Sequence, residues 1–126
     1  HNSNASALAD MLTEHPKING VFYPGLSSHR NHEIAKLQMK GFGGMLGIDF
    51  GSAQTAKHFV NRVKVCTFAT SLGGVETLVQ PVALMTHATL SAEERNKAGI
   101  SDGLLRISVG IEDILDIRQD IYNALT

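Results

Sequence analysis

No apolar run in this 126-residue chain approaches the roughly 20 residues a helix needs to cross a bilayer, so a helical membrane span is not expected. Neither sign of charge is in surplus. The 11 Lys and Arg stand against 12 Asp and Glu, a formal net charge of -1, with no long run of one sign. Such a balance gives a nucleic acid or an anionic membrane surface little to hold, and neither is expected as a partner. Cysteine is almost absent: Cys66 stands alone and cannot close an internal disulfide. Its neighbours Val65 and Phe68 suggest a buried thiol in a reducing compartment. No histidine adjoins it, which disfavours a nucleophilic role. The polar start His1-Asn2-Ser3-Asn4 has neither an initiator methionine nor the charged-then-apolar pattern of a secretion signal. These absences predict a soluble cytoplasmic protein cut from something longer. The 43% of hydrophobic residues is ordinary for one domain around one core.

Periodicity supplies the architecture. Ala5, Leu8, Ala9 and Leu12 recur at helical spacing, and that helix should stop before Pro16. Ile18 to Tyr23 is β-branched and aromatic and reads as a strand closed by Pro24-Gly25. A second helix is predicted from about Asn31, with Ile34 and Leu37 toward one side, ending at Lys40-Gly41. Met45 to Phe50 reads as a strand. Ser52 then caps a helix whose apolar face is Ala56, Phe59, Val60 and Val63. Val65 to Ala69 reads as the next strand. Leu78 to Leu90, interrupted by Pro81 and by Thr86-His87, reads as an irregular buried connection. Ser91 with Glu94 makes a capping box for a short helix to about Gly99. A strand around Arg106 follows, then a last helix with Glu112, Asp113 and Asp116 at its start and Ile114, Ile117, Ile121 and Leu125 on its buried side. The expectation is a two-layer α/β (α+β) domain over residues 1–126, with about four strands in one sheet and helices packed on it. No internal repeat, low-complexity tract or linker divides it.

Several candidate sites weaken under their plainer readings. Gly41-Phe42-Gly43-Gly44 precedes a strand rather than following one, the reverse of a nucleotide-binding loop, so its glycines read as conformational. His29 and His32 lack further metal ligands in any recognisable pattern. The acidic residues fall where charge ordinarily meets water, and no pair stands out for acid–base work. His87, in an apolar run, reads as a hydrogen-bonded core histidine. Arg106 and Ser71 remain. Arg106 stands among Leu104, Leu105, Ile107 and Val109, and a guanidinium in such company needs an anion or other acceptors. One reading pairs it with Glu76 or Glu112. The other has its planar fork holding a substrate carboxylate, with the Ser71 hydroxyl and nearby backbone amides completing the cradle. The residues alone leave the two level.

Four motifs go further. Ser71-Leu72-Gly73-Gly74-Val75-Glu76-Thr77-Leu78, Met85-Thr86-His87, Gly99-Ile100-Ser101 and Leu105-Arg106-Ile107-Ser108-Val109-Gly110-Ile111-Glu112 occur in that order. With Tyr23-Pro24-Gly25-Leu26, His32 and Lys40 to Met45, they resemble the C-terminal domain of the pyridoxal-phosphate-dependent Cys/Met metabolism (trans-sulfuration) enzymes. These include cystathionine γ-lyase, methionine γ-lyase and cystathionine γ-synthase. The resemblance implies the small domain of a fold-type I enzyme, closing over substrate held by a large cofactor-binding domain that these residues do not include. It implies that Arg106 and Ser71 bind the substrate carboxylate and that Thr70 and Leu72 line the pocket. The implied chemistry is removal of the α-proton, with the cofactor ring as electron sink, and then loss of a sulfur leaving group.

Two departures shape the expectation. The family attaches its cofactor to the lysine of a Ser-x-Thr-Lys motif, and none of Lys17, Lys36, Lys40, Lys57, Lys64 and Lys97 follows a threonine. The residues present are therefore expected to be inactive alone and to bind no pyridoxal phosphate. Second, Thr70 stands where many cystathionine-handling members carry glutamate, which favours a γ-lyase acting on methionine or homocysteine without removing cystathionine. The resemblance implies a homotetramer whose pocket is completed by the protein's own N-terminal domain and neighbouring subunits. The alternatives are a cystathionine γ-synthase-type transferase and a non-catalytic α/β interaction module.

Overall fold

The computed structural model describes residues 1–69, 71–82 and 102–126. The expected helix at 91–99, His87, Thr70 and the motifs at 85–87 and 99–101 lie outside the described residues. Among the described residues four helices and five strands are defined: α1 (Asn2–Thr13), β1 (Gly20–Phe22), α2 (His32–Gln38), β2 (Met45–Asp49), α3 (Ala53–Arg62), β3 (Thr67–Phe68), β4 (Leu78–Pro81), β5 (Leu104–Ser108) and α4 (Ile114–Leu125). The strands form one mixed sheet in the order β1-β2-β5-β4-β3, antiparallel except for the β3–β4 pair.

The core lies on one face of this sheet. Leu46, Ile48, Val79, Leu105 and Ile107 point into it at every second strand position, as the pleat requires. They meet Ala5, Leu8, Ala9 and Leu12 of α1, Ala56 and Phe59 of α3, and Ile117 and Ile121 of α4, the apolar stripes expected from helical spacing. Ser52 caps α3 as expected, its hydroxyl accepting from Thr55 N at 3.2 Å.

Three elements differ from the sequence expectation. Leu78–Pro81 is a strand, buried throughout, rather than an irregular connection, and it raises the sheet from four strands to five. Pro81 occupies its last residue, where a missing amide does little to the ladder. The strand expected over Val65 to Ala69 shrinks to Thr67–Phe68. The amides of Lys64, Val65 and Cys66 turn instead onto the carboxylate of Asp120, at 2.7, 2.9 and 2.8 Å. The third is α2, which buries none of its residues: Leu37 is 87% exposed.

Cys66 is buried, as expected. Burial pushes its thiol well above the ordinary value of 9.0, and the neighbouring Asp120 carboxylate pushes it further. A thiol alkylating reagent near neutral pH is therefore expected to leave the folded chain unmodified and to label it after denaturation. The fold keeps this proton to a higher pH than the unfolded chain does. The contribution is complete below the unfolded value and lost as pH rises past it, by about 1.4 kcal/mol per pH unit. Cys66→Ala should remove that part of the alkaline slope in a denaturant titration, and an unaltered slope would count against this account.

Candidate functional site

The sheet face opposite the core carries the other register. Leu104 and Arg106 of β5 project there, beside Gly47 of β2 and Gln80 of β4, to which Arg106 is directly paired. Arg106 is consequently half-buried rather than enclosed in the apolar core: the period of two that buries Leu105 and Ile107 turns Arg106 away from them. A cavity of about 450 Å³ opens on this face, with Phe22, Met45, Asp49, Val82, Leu104 and Arg106 among its lining.

Two neutral oxygens are among the acceptors of the guanidinium. Its Nη2 donates to Gln80 Oε1, and at 3.4 Å to the carbonyl oxygen of Ser71. Gln80 is only 3% exposed, so its amide is a fixed prop. The sequence thus pointed to a real neighbourhood, since Ser71 and Arg106 come together across 35 positions. The geometry differs in detail. The contact runs through the Ser71 carbonyl rather than its hydroxyl, and the amide of Gly73, one of the backbone amides near the expected cradle, donates to Ser108 Oγ at 2.8 Å. Leu72 is 56% exposed on the same turn. Gly73 sits at φ +76°, a left-handed conformation that suits glycine, and it lets the chain reverse here.

The proposed ion pair with Glu112 is replaced by another arrangement. Both carboxylate oxygens of Glu112 accept from Thr77, one from its amide and one from its hydroxyl, each at 2.8 Å. Glu112 therefore does not serve the start of α4. Asp113 does, accepting from Leu115 N at 2.8 Å. Gln80 was missed from sequence because its partnership with Arg106 depends on the register of a strand that was not foreseen.

The other candidates take structural places. Nδ1 of His32 lies 2.7 Å from the Pro24 carbonyl oxygen, and its ring stacks on Phe42. His29 Nδ1 accepts from Asn31 N. Tyr23 OH donates to the Gly43 carbonyl at 2.9 Å, fixing the glycine-rich turn. Among the described residues no group of three or more His, Cys, Asp or Glu could hold a metal ion. No described helix is long and apolar enough to cross a membrane.

The residues around the cavity suit a small anion with an apolar remainder. A planar, charged fork matches a carboxylate's two oxygens, and Phe22, Met45, Val82 and Leu104 line the cavity beside it, together with Asp49.

Comparison with known proteins gives the family. The family model for Cys/Met metabolism PLP-dependent enzymes matches residues 1–126. A cystathionine gamma-lyase of Dictyostelium discoideum is 52% identical over 99% of this chain and 33% of its own length. An L-methionine gamma-lyase of Fusobacterium nucleatum subsp. polymorphum is 48% identical over 99% of this chain and 32% of its own. The crystal structure of cystathionine gamma synthase from Xanthomonas oryzae pv. oryzae in complex with cystathionine superposes with a TM-score of 0.92 at 44% identity, covering 99% of this chain and 33% of that one. The fold is thus that of fold-type I pyridoxal-phosphate enzymes. The chain belongs to the Cys/Met metabolism family, and it spans about a third of the length of these relatives.

The family is pyridoxal-phosphate-dependent, but the residues lining this cavity do not fit the cofactor itself. No lysine is among the residues lining the cavity, so nothing there supplies the amine that would hold its aldehyde.

Proposed function

We propose that this chain is the C-terminal, smaller domain of a homotetrameric cytoplasmic lyase that eliminates a sulfur leaving group from cystathionine, methionine or homocysteine. Arg106 binds the substrate's α-carboxylate, with Ser71 beside it. The observation that carries this reading is the Arg106 guanidinium, propped by Gln80 and the Ser71 carbonyl and lining an apolar cavity. Fixing the carboxylate orients the Cα–H bond for cleavage, and that orientation is what this chain contributes to rate. A large domain and neighbouring subunits complete the pocket. The exposed Phe22, Ile34 and Leu37 are apolar surface that such neighbours would cover. Thr70 carries no charge to pair with the distal ammonium group of cystathionine, which favours a γ-lyase of wider substrate range. These 126 residues alone hold no pyridoxal phosphate and turn nothing over, because no Ser-x-Thr-Lys lysine is among them.

The similarity to a cystathionine gamma synthase supports a second reading, a transferase joining cysteine to an activated homoserine. Product analysis of the full-length protein separates the two. Ammonia and a 2-oxo acid released from methionine, homocysteine or cystathionine without added cysteine is the lyase result. Cystathionine formed only when cysteine and an activated homoserine are both present is the synthase result. Neither product under either condition would leave only a non-catalytic module.

A further inference from the structure

The turn that carries Ser71 has little packing of its own. Leu72 and Val75 are exposed, and a side chain at Gly73 would meet nothing within 4 Å. A loop whose apolar residues face outward is not positioned by a core. Its place is set by polar attachments at both ends. At the near end, Ser108 lies two residues after Arg106 on the same strand face and is buried beneath the turn, its Oγ accepting from Gly73 N at 2.8 Å. At the far end, fully buried Thr77 donates through its amide and its hydroxyl to Glu112. Its Oγ1 also accepts from Gly110 N at 2.9 Å, and Ile111 N donates to the Val75 carbonyl at 2.8 Å. Gly110 permits this approach: a Cβ there would stand 2.2 Å from the Val75 carbonyl oxygen.

We propose that Ser108, Thr77 and Glu112 are positioning residues for the Arg106 site, a latch that holds the Ser71–Gly74 turn where its Ser71 carbonyl seats the guanidinium. The inference rests on the carboxylate-binding reading of Arg106. None of the three needs to touch substrate. They act on the fraction of molecules in which the turn lies against Arg106, and apparent affinity falls in proportion to that fraction.

The test uses the full-length holoenzyme and steady-state kinetics with its amino-acid substrate. Ser108→Ala removes one acceptor of ordinary strength and is expected to raise KM about fivefold with kcat nearly unchanged. Thr77→Val removes two hydrogen bonds and should raise KM by about tenfold or more, whereas Thr77→Ser keeps the hydroxyl and should restore it. Thermal melting is followed in parallel, because a purely structural role would lower stability and leave KM where it was. If Thr77→Val does not fold, Ser108→Ala and Thr77→Ser decide. If Arg106→Lys raises KM while Ser108→Ala leaves it unmoved, the latch is overturned and the carboxylate reading stands. If Arg106→Lys also leaves KM unmoved, both fall.

Discussion

Arg106→Lys in the full-length enzyme is expected to raise KM by about 10- to 100-fold, since a point charge replaces a fork and at least one charge-assisted hydrogen bond is lost. Lysine keeps the positive sign, so long-range attraction for a carboxylate survives. What it cannot keep is the planar array whose Nη2 meets both Gln80 and the Ser71 carbonyl and whose fork matches a carboxylate's two oxygens. The ammonium would meet part of that set at a time. The loss belongs chiefly to binding, with a smaller fall in kcat as orientation of the substrate loosens. Arg118→Lys, on the exposed side of α4, is the control and should do nothing measurable. An unchanged KM for Arg106→Lys would remove Arg106 from the binding site and leave family membership as the sole ground for the proposed function.

Why Arg106 and Ser71 were visible in the sequence, and Gln80 was not, follows from what each signal depends on. An arginine among Leu104, Leu105 and Ile107 is conspicuous because charge in apolar company is costly. Gln80 becomes informative only once β4 is paired with β5 so that Gln80 falls opposite Arg106. β4 hid itself, because Gln80 and Pro81 break the alternation that marks a strand covered on one face. The strand is in fact buried on both faces: Val79 joins the core on one, and Leu78 and Gln80 are each 3% exposed on the other. The helices α1, α3 and α4 were legible because each buries a stripe at helical spacing against one sheet face. The same logic failed for α2, whose Ile34 and Leu37 form a stripe with no partner among the described residues. Thr77 and Ser108 stood inside quoted motifs, yet nothing in them or in Asp120 named their partners. Their partners are chiefly backbone amides, and an amide has no letter in a sequence.

Asp120→Ala should be the most damaging of the single substitutions for stability. Periodicity places Asp120 next to the buried Ile121, and in the structure it is 7% exposed, with both carboxylate oxygens accepting backbone amides from Lys64, Val65 and Cys66. A charge buried to this extent is tolerated because those donors replace its water. Alanine would remove the acceptor for all three at once. The Cys66 amide is buried and cannot turn to solvent, while those of Lys64 and Val65 recover part of their loss from water. The net effect is about 3–5 kcal/mol, a large share of the 5–15 kcal/mol typical of a domain. For a chain of this size that lowers the melting temperature by roughly 10–20 °C. The junction of α3 and β3 would loosen first, since Asp120 is what ties it to α4, so Cys66 should become accessible to a thiol reagent below the global transition. The exposed Asp116→Ala serves as the comparison, with a shift of no more than a few degrees. Equal melting of the two variants, or a Cys66 that stays protected in Asp120→Ala up to global unfolding, would show that the turn is held by packing and that the carboxylate merely fills its space.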